Sequence, residues 1–271
     1  MADHGMTPDI KAVFFDIDGT LTSFVTHEVP ASTIDAIHAL RAKGVKVFIC
    51  TGRSPVYMGV VLDALPVEFD GIVGLNGQYC ADGSGFEDWL AMDPTDVATI
   101  VRWLDDHPSV ACNFCERDRA YFDRVTDELR TTWAKLGRTA PKVELCDPHP
   151  RLADHAFYQI SPYVDPATEA ELLALCPNTA GVRWHPDFTD LIPAQGGKPR
   201  GMRRFMERYG WDRGQVMAFG DGGNDETMLA FAGIGVAMGN ATAGPKAAAD
   251  YVTDDVDHDG VANALRHFGV L

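Results

Sequence analysis

The sequence predicts an α/β fold in which a doubly wound, mostly parallel sheet is covered by helices on both faces and interrupted by an inserted α+β domain. Two patterns carry this reading. At both ends of the chain, short apolar runs alternate with amphipathic segments, as strands joined by covering helices do. Between them, from about Asp82 to Ile192, helical patterns are separated by paired short extended runs, which fits an antiparallel sheet with helices. A length of 271 residues, against roughly 150 per domain, suits one large domain or two moderate ones.

The elements follow in order. Ile10 to Phe15 is an apolar run and reads as the first strand. Ser32 and Asp35 have capping-box spacing and open a helix through Ile34, Ile37 and Leu40, with Gly44 as its stop. Val45 to Cys50 is the next strand, Pro55 to Leu65 a helix, and Gly71 to Leu75 a third strand. In the middle stretch, helices are marked by Val97, Ile100, Val101 and Leu104, by Val125, Leu129, Trp133 and Leu136, and by Glu169 to Leu175. Pro199 takes a first-turn position ahead of Met202, Phe205, Met206 and Tyr209, spaced i, i+3, i+4 and i+7, with Arg203, Arg204 and Arg208 on the wet face. Gln215 to Phe219, Gly233 to Ala237 and Asp250 to Thr253 are further strands, each followed by a helix-like segment. The expected division is a core in two parts, 1–81 and 193–271, around an insert over 82–192.

Composition narrows the function. Hydrophobic residues at 46% and charged residues at 23% are those of an ordinary folded chain, which sets aside disorder, collagen and coiled coil. A formal charge of −16 disfavours nonspecific nucleic-acid or anionic-membrane partners. No apolar run approaches the 18 or so residues that span a bilayer, and the start, MADHGMTPDIK, lacks the apolar stretch of a signal peptide, so the expected compartment is the cytoplasm. Six dispersed cysteines read as free thiols, and the single Cys112-Asn-Phe-Cys115 as part of a strand. Asp255-Val-Asp257-His-Asp259-Gly260 resembles the opening of a calcium loop, but Arg266 occupies the twelfth position, where that loop needs a bidentate Glu.

The chemistry concentrates at strand ends. Asp16-Ile17-Asp18-Gly19-Thr20-Leu21 follows the first apolar run, and in an open parallel sheet ligands bind outside the carboxyl ends of the strands. Two carboxylates at i and i+2 can converge there while Gly19 lets the chain turn. Gly220-Asp221-Gly222-Gly223-Asn224-Asp225 follows Val216 to Phe219 in the same way and adds two acids to that edge. Thr51-Gly52-Arg53 ends the Val45 to Cys50 strand, and Lys198 opens the helix of Pro199. A hydroxyl, backbone N–H groups and an ammonium together describe a phosphate site.

These four segments, in this order, resemble the four motifs of the haloacid dehalogenase (HAD) superfamily of phosphohydrolases. Asp16-x-Asp18-Gly-Thr-Leu is similar to motif I, Thr51-Gly-Arg to motif II, Lys198 to motif III, and Gly-Asp221-Gly-Gly-Asn224-Asp225 to motif IV. The large insert, with Asn76-Gly77 before it and Gly197-Lys198 after it, resembles the Cof-type subfamily with a C2 cap. The resemblance spans the whole chain and implies a Rossmann-like core, a mobile cap that selects the substrate, and a Mg²⁺-dependent phosphatase of small phosphorylated metabolites.

On these positions the resemblance implies that Asp16 attacks phosphorus to form an aspartyl-phosphate, while Asp18 protonates the leaving oxygen and then activates water. It places Mg²⁺ on the carboxylates of Asp16 and Asp221 and the backbone carbonyl of Asp18, with Asp225 as a nearby acid behind them. Thr51, the Gly52 N–H, Lys198 and Asn224 would hold the transferring group. The charges agree, since four carboxylates against the one ammonium of Lys198 would repel a phosphate dianion unless a divalent cation were present. Two alternatives use the same residues: a phosphotransferase or phosphomutase that passes the phosphoryl group to a second hydroxyl, and a noncatalytic metabolite-binding protein. Retention of the acid Asp18 argues against the second.

Overall fold

The computed structural model describes residues 8–63, 66–136 and 142–271, which form two units. The first contains Met1–Cys50, Leu65–Ile72 and Met202–Leu271; the second contains Thr51–Ala64 and Val73–Gly201. The expected leader-free start falls partly outside the described residues, in 1–7, as does the end of the expected 55–65 helix, in 64–65.

In the first unit, β1 (Ala12–Phe15), β2 (Lys46–Cys50), β11 (Val216–Gly220), β12 (Ile234–Ala237) and β13 (Tyr251–Val252) lie in the order β13-β12-β11-β1-β2, every pair parallel. Strands β1, β2 and β11 are buried along almost their whole length, as strands covered on both faces must be. Helix α1 (Ala31–Ala42) carries the chain from β1 to β2 in one direction, and α7 (Glu226–Phe231) carries it from β11 to β12 in the other. Because such crossovers are right-handed, opposite directions put the two helices on opposite faces, and the strand order reverses between β1 and β11. That reversal is the crevice in which doubly wound sheets bind ligands.

The aromatic core of this unit explains why α6 (Lys198–Tyr209) is amphipathic. Phe205 of this helix packs against Phe14 and Phe48, which stack on each other at 4.8 Å between centroids, and Met202 is buried beside it. Arg203 and Arg208 face solvent, as the spacing predicts, while Arg204, expected with them, is only partly exposed and buries its Nε. The capping box at Ser32 does not form. Thr33 and Ile34 donate their N–H groups to the carbonyl of Pro30, so the helix starts at Ala31 and Ser32 is already its second residue, too far in to cap. Gly44, at φ +79°, does end the helix region, and Val45 donates back to Leu40 in the six-to-one bond of a Schellman turn.

Strand β3 (Gly71–Gly74) has its first two residues in the first unit and its last two in the second, where the antiparallel hairpin β4 (Tyr79–Asp82) and β5 (Glu87–Trp89) continues the order β3-β4-β5. The second unit also contains α2 (Pro55–Leu62), capped by the Ser54 hydroxyl, and a separate five-stranded sheet. Its strands are β6 (Cys112–Cys115), β7 (Ala120–Phe122), β8 (Gln159–Pro162), β9 (Thr179–His185) and β10 (Phe188–Pro193), in the antiparallel order β7-β6-β8-β10-β9. Helices α3 (Pro94–Asp106), α4 (Asp127–Leu136) and α5 (Pro166–Ala174) accompany it; Val97, Ile100, Val101 and Leu104 of α3 pack with Phe114, Ile160 and Leu191 of the sheet. Cys112 and Cys115 are buried free thiols within β6, as expected of a strand.

Candidate active site

The end of β1 and the end of β11 meet in register. Phe15 lies opposite Phe219, and the Asp16 N–H donates to the Phe219 carbonyl at 3.0 Å, so Asp16 and Asp221 leave neighbouring strands at the point where the strand order reverses. Asp16, Asp221 and Asp225, all buried, present carboxylate oxygens within 4.8 Å of one another. Two ionised carboxylates at that separation repel by about 3.5 kcal/mol at an effective dielectric near 20, so the cluster is a poor structural feature and a good cation site. Hard oxygen donors of this kind fit a divalent cation.

Local sequence makes the close approach possible. Gly19 sits at φ +87°, and a Cβ there would fall 2.2 Å from Asp221 Oδ2, so only glycine lets the first loop pass against that carboxylate. Thr20 donates its hydroxyl to Asp221 Oδ1 at 2.9 Å, and Asn240 donates its amide to the Gly19 carbonyl at 2.8 Å while accepting the Val256 N–H at 2.9 Å. Asp225 Oδ2 accepts the N–H groups of Asp221 at 2.9 Å and Gly222 at 3.0 Å, so this carboxylate shapes the loop as well as contributing charge. Of the metal set expected from sequence, the carboxylates of Asp16 and Asp221 are gathered together with that of Asp225, the acid expected behind them, while Asp18, expected to contribute its backbone carbonyl, is partly exposed. Asn224 is buried between Asp221 and Asp225 in sequence.

The remaining expected residues belong to the second unit. Thr51 is buried just past β2; its N–H donates to Val73 and its hydroxyl accepts the Arg53 N–H at 3.1 Å. Lys198 opens α6 and is only 1% exposed. Sequence reasoning missed several residues that support each unit's part of the site. Nothing local in the sequence gives Thr20 or Asn240 its role beside Asp221 and Gly19, or marks Asp190. Burial pushes the Asp190 carboxyl up to about 6, restrained by hydrogen bonds from Ser161, Asn76 and Trp184 and by the positive charge of Lys198. Trp184, near the end of the insert, spends its indole N–H on Asp190 at 3.2 Å, and Arg183 pairs with Glu169, so both serve the packing of this unit.

The family is decided by comparison. A model of haloacid dehalogenase-like hydrolases matches residues 13–265. The chain belongs to this family. Among relatives, "Putative phosphatase YkrA" of Bacillus subtilis (strain 168) is 31% identical over 97% of this chain and 99% of its own length. Pyridoxal phosphate phosphatase YbhA of Escherichia coli (strain K12) is 29% identical over 94% of this chain and 97% of its own. Among solved structures, the HAD subclass IIB sugar phosphatase BT4131 aligns with TM-score 0.88 and 34% identity, covering 96% of this chain and 100% of that one. The chain is an enzyme of the phosphatase branch of these hydrolases, and its fold class is the α/β architecture predicted. Among the described residues, no helix is long and apolar enough to cross a membrane.

Proposed function

We propose that this HAD-family enzyme is a Mg²⁺-dependent phosphatase of small phosphorylated metabolites, sugar phosphates foremost, acting through an aspartyl-phosphate on Asp16. The observation that carries the proposal is the buried cluster of Asp16, Asp221 and Asp225 at the reversal of strand order. Mg²⁺ would be held by Asp16 and Asp221 with the Asp18 carbonyl, and Asp225 supports the loop that presents Asp221. When bound, the cation neutralises charge on the phosphoryl oxygens.

The chain's own residues divide the remaining work. Asp16 supplies the nucleophilic oxygen, and the P–O bond to the leaving group breaks as the Asp16 oxygen bonds to phosphorus. Asp18, more exposed than Asp16, gives a proton to the departing oxygen and takes one from the water that later hydrolyses the acyl phosphate. Thr51, the Gly52 N–H, Lys198 and Asn224 hold the phosphoryl group, and residues 82–192 form a cap that selects the leaving group. The sugar-phosphate preference is supported by the name of the structural relative BT4131, and pyridoxal phosphate stands second through YbhA.

The test is phosphate release from a panel containing hexose phosphates, pyridoxal phosphate and a phosphorylated ribitylamino pyrimidine, each with Mg²⁺ and with EDTA. Metal-dependent release with a hexose phosphate as best substrate is expected. Transfer to an added alcohol without free phosphate would replace the hydrolase by a phosphotransferase. Asp18→Asn should slow alkyl phosphates by about 10²- to 10⁴-fold and a nitrophenyl phosphate much less, because only the poor leaving group needs the proton. Equal losses on both substrates would remove Asp18 from the acid role.

A further inference from the structure

The Asn76-Gly77 step has no part in the chemistry above, yet its backbone is unusual. Leu75, Asn76 and Gly77 have φ values of +51°, +52° and +98°, three successive left-handed residues of which two carry side chains. Such conformations persist only where surrounding contacts over-determine them. Here the contacts converge on Asn76, which is buried: its side-chain amide donates one hydrogen to Gln159 Oε1 at 3.0 Å and the other to Asp190 Oδ2 at 2.9 Å, and its backbone N–H donates to the Thr51 carbonyl at 3.0 Å.

The same group of residues takes all three carbonyls of Thr51-Gly52-Arg53. Asn76 holds that of Thr51, Gln159 Nε2 that of Gly52 at 3.2 Å, and the Leu75 N–H that of Arg53 at 3.0 Å. In a trans peptide the carbonyl and the following N–H point in opposite directions. Fixing the Thr51 carbonyl against Asn76 therefore aims the Gly52 N–H away from this network. On its other flank the turn abuts the start of α6. A Cβ on Gly77 would lie 2.1 Å from the Gly197 carbonyl oxygen and 3.2 Å from the Lys198 backbone nitrogen, and Arg200 donates to the Gly77 carbonyl at 2.9 Å. Asp190 is anchored in turn by Ser161 at 2.7 Å and Trp184 at 3.2 Å, within the strands of the five-stranded sheet.

We infer that Asn76 and Asp190 are positioning residues that set both phosphate-holding segments, Thr51-Gly52 and Lys198, from a single buried hydrogen-bonded hub. The inference rests on the phosphate-holding roles proposed above for Thr51, Gly52 and Lys198. It makes phosphate affinity depend on two residues that need not touch phosphate. It also gives the left-handed turn a purpose: in that conformation the Asn76 N–H and its side-chain amide reach separate partners.

The experiment measures binding of inorganic phosphate to the full chain in the presence of Mg²⁺ by calorimetry, together with kcat and KM on the best substrate. The proteins compared are wild type, Asn76→Gly, Asp190→Asn, the double variant and Ser161→Ala. Asn76→Gly keeps the positive φ accessible while removing the amide, and Asp190→Asn is nearly isosteric and preserves the side-chain shape. Each single variant should weaken phosphate binding at least tenfold and lower kcat about 10- to 100-fold, with the double no worse than the weaker single, as members of one unit behave. Ser161→Ala, which touches only the other oxygen of Asp190, should lower the melting temperature and leave phosphate binding within about twofold. Phosphate affinity within twofold of wild type in folded Asn76→Gly would overturn the inference, as would Ser161→Ala weakening it as much as Asp190→Asn. If Asp190→Asn does not fold, Asn76→Gly decides. Wild type that binds phosphate without turning over substrate would fail the hydrolase reading alone; wild type that binds no phosphate would sink both.

Discussion

Asp16→Asn is expected to cut phosphate release by about 10⁴-fold or more while leaving the fold intact. The amide has the shape of the carboxylate but cannot supply an anionic oxygen to phosphorus, and loss of a nucleophile in other covalent enzymes costs factors of this size. Stability should move the opposite way. Asp16 lies within 4.8 Å of both Asp221 and Asp225, so removing its charge relieves two repulsions of about 3.5 kcal/mol each at an effective dielectric near 20. In EDTA the variant should therefore melt at or above the wild-type temperature. This separates loss of chemistry from loss of structure in one pair of measurements: steady-state phosphate release and a calorimetric melt. Turnover within tenfold of wild type would remove Asp16 from the nucleophilic role; a sharply lowered melt would show that its carboxylate is structural.

Removal of divalent metal is expected to bring phosphate release to background, with Mg²⁺ restoring it. The cause is electrostatic, since three buried carboxylates repel a phosphate dianion unless a cation stands between them. A readout without turnover checks the same point. A ligand that binds only the folded state stabilises it by about 2.7 kcal/mol at a hundredfold excess over Kd, so Mg²⁺ should raise the melting temperature of the wild type. Asp221→Asn should largely abolish that rise, because Asp221 supplies one of the clustered oxygens and is itself set by the Thr20 hydroxyl. Full activity in EDTA, or a Mg²⁺ shift unchanged by Asp221→Asn, would contradict the assignment.

Much of this molecule was legible in the chain because the relevant signals are local. The apolar runs that became β1, β2 and β11 each end directly before a chemically marked segment, so the placement of Asp16, Thr51 and Asp221 at strand ends followed from neighbours within a few residues. The 3.6-residue spacing of Met202, Phe205 and Met206 announced the buried face of α6 in the same way. Local reading failed where two local rules competed. Ser32 had the right spacing to cap a helix, but the carbonyl of Pro30 took the first helical bonds and moved the start past it.

Composition, periodicity and short motifs thus determined the fold class, the strand ends that bear chemistry, and the acidic character of the site. Tertiary structure alone decided which acids gather and what holds them. Asp225 joins Asp16 and Asp221 because two strands 201 or more residues apart in sequence lie side by side in register, and Gly19 is small enough to let the loops touch. Asn240 reaches the Gly19 carbonyl across 221 positions, and Asn76 reaches Asp190 across 114. No pattern within a window of the sequence records such pairings, since a side-chain amide reads the same whether it ends in water or on a buried carboxylate. The distinction is made only when packing excludes water and fixes which acceptors a buried donor can reach.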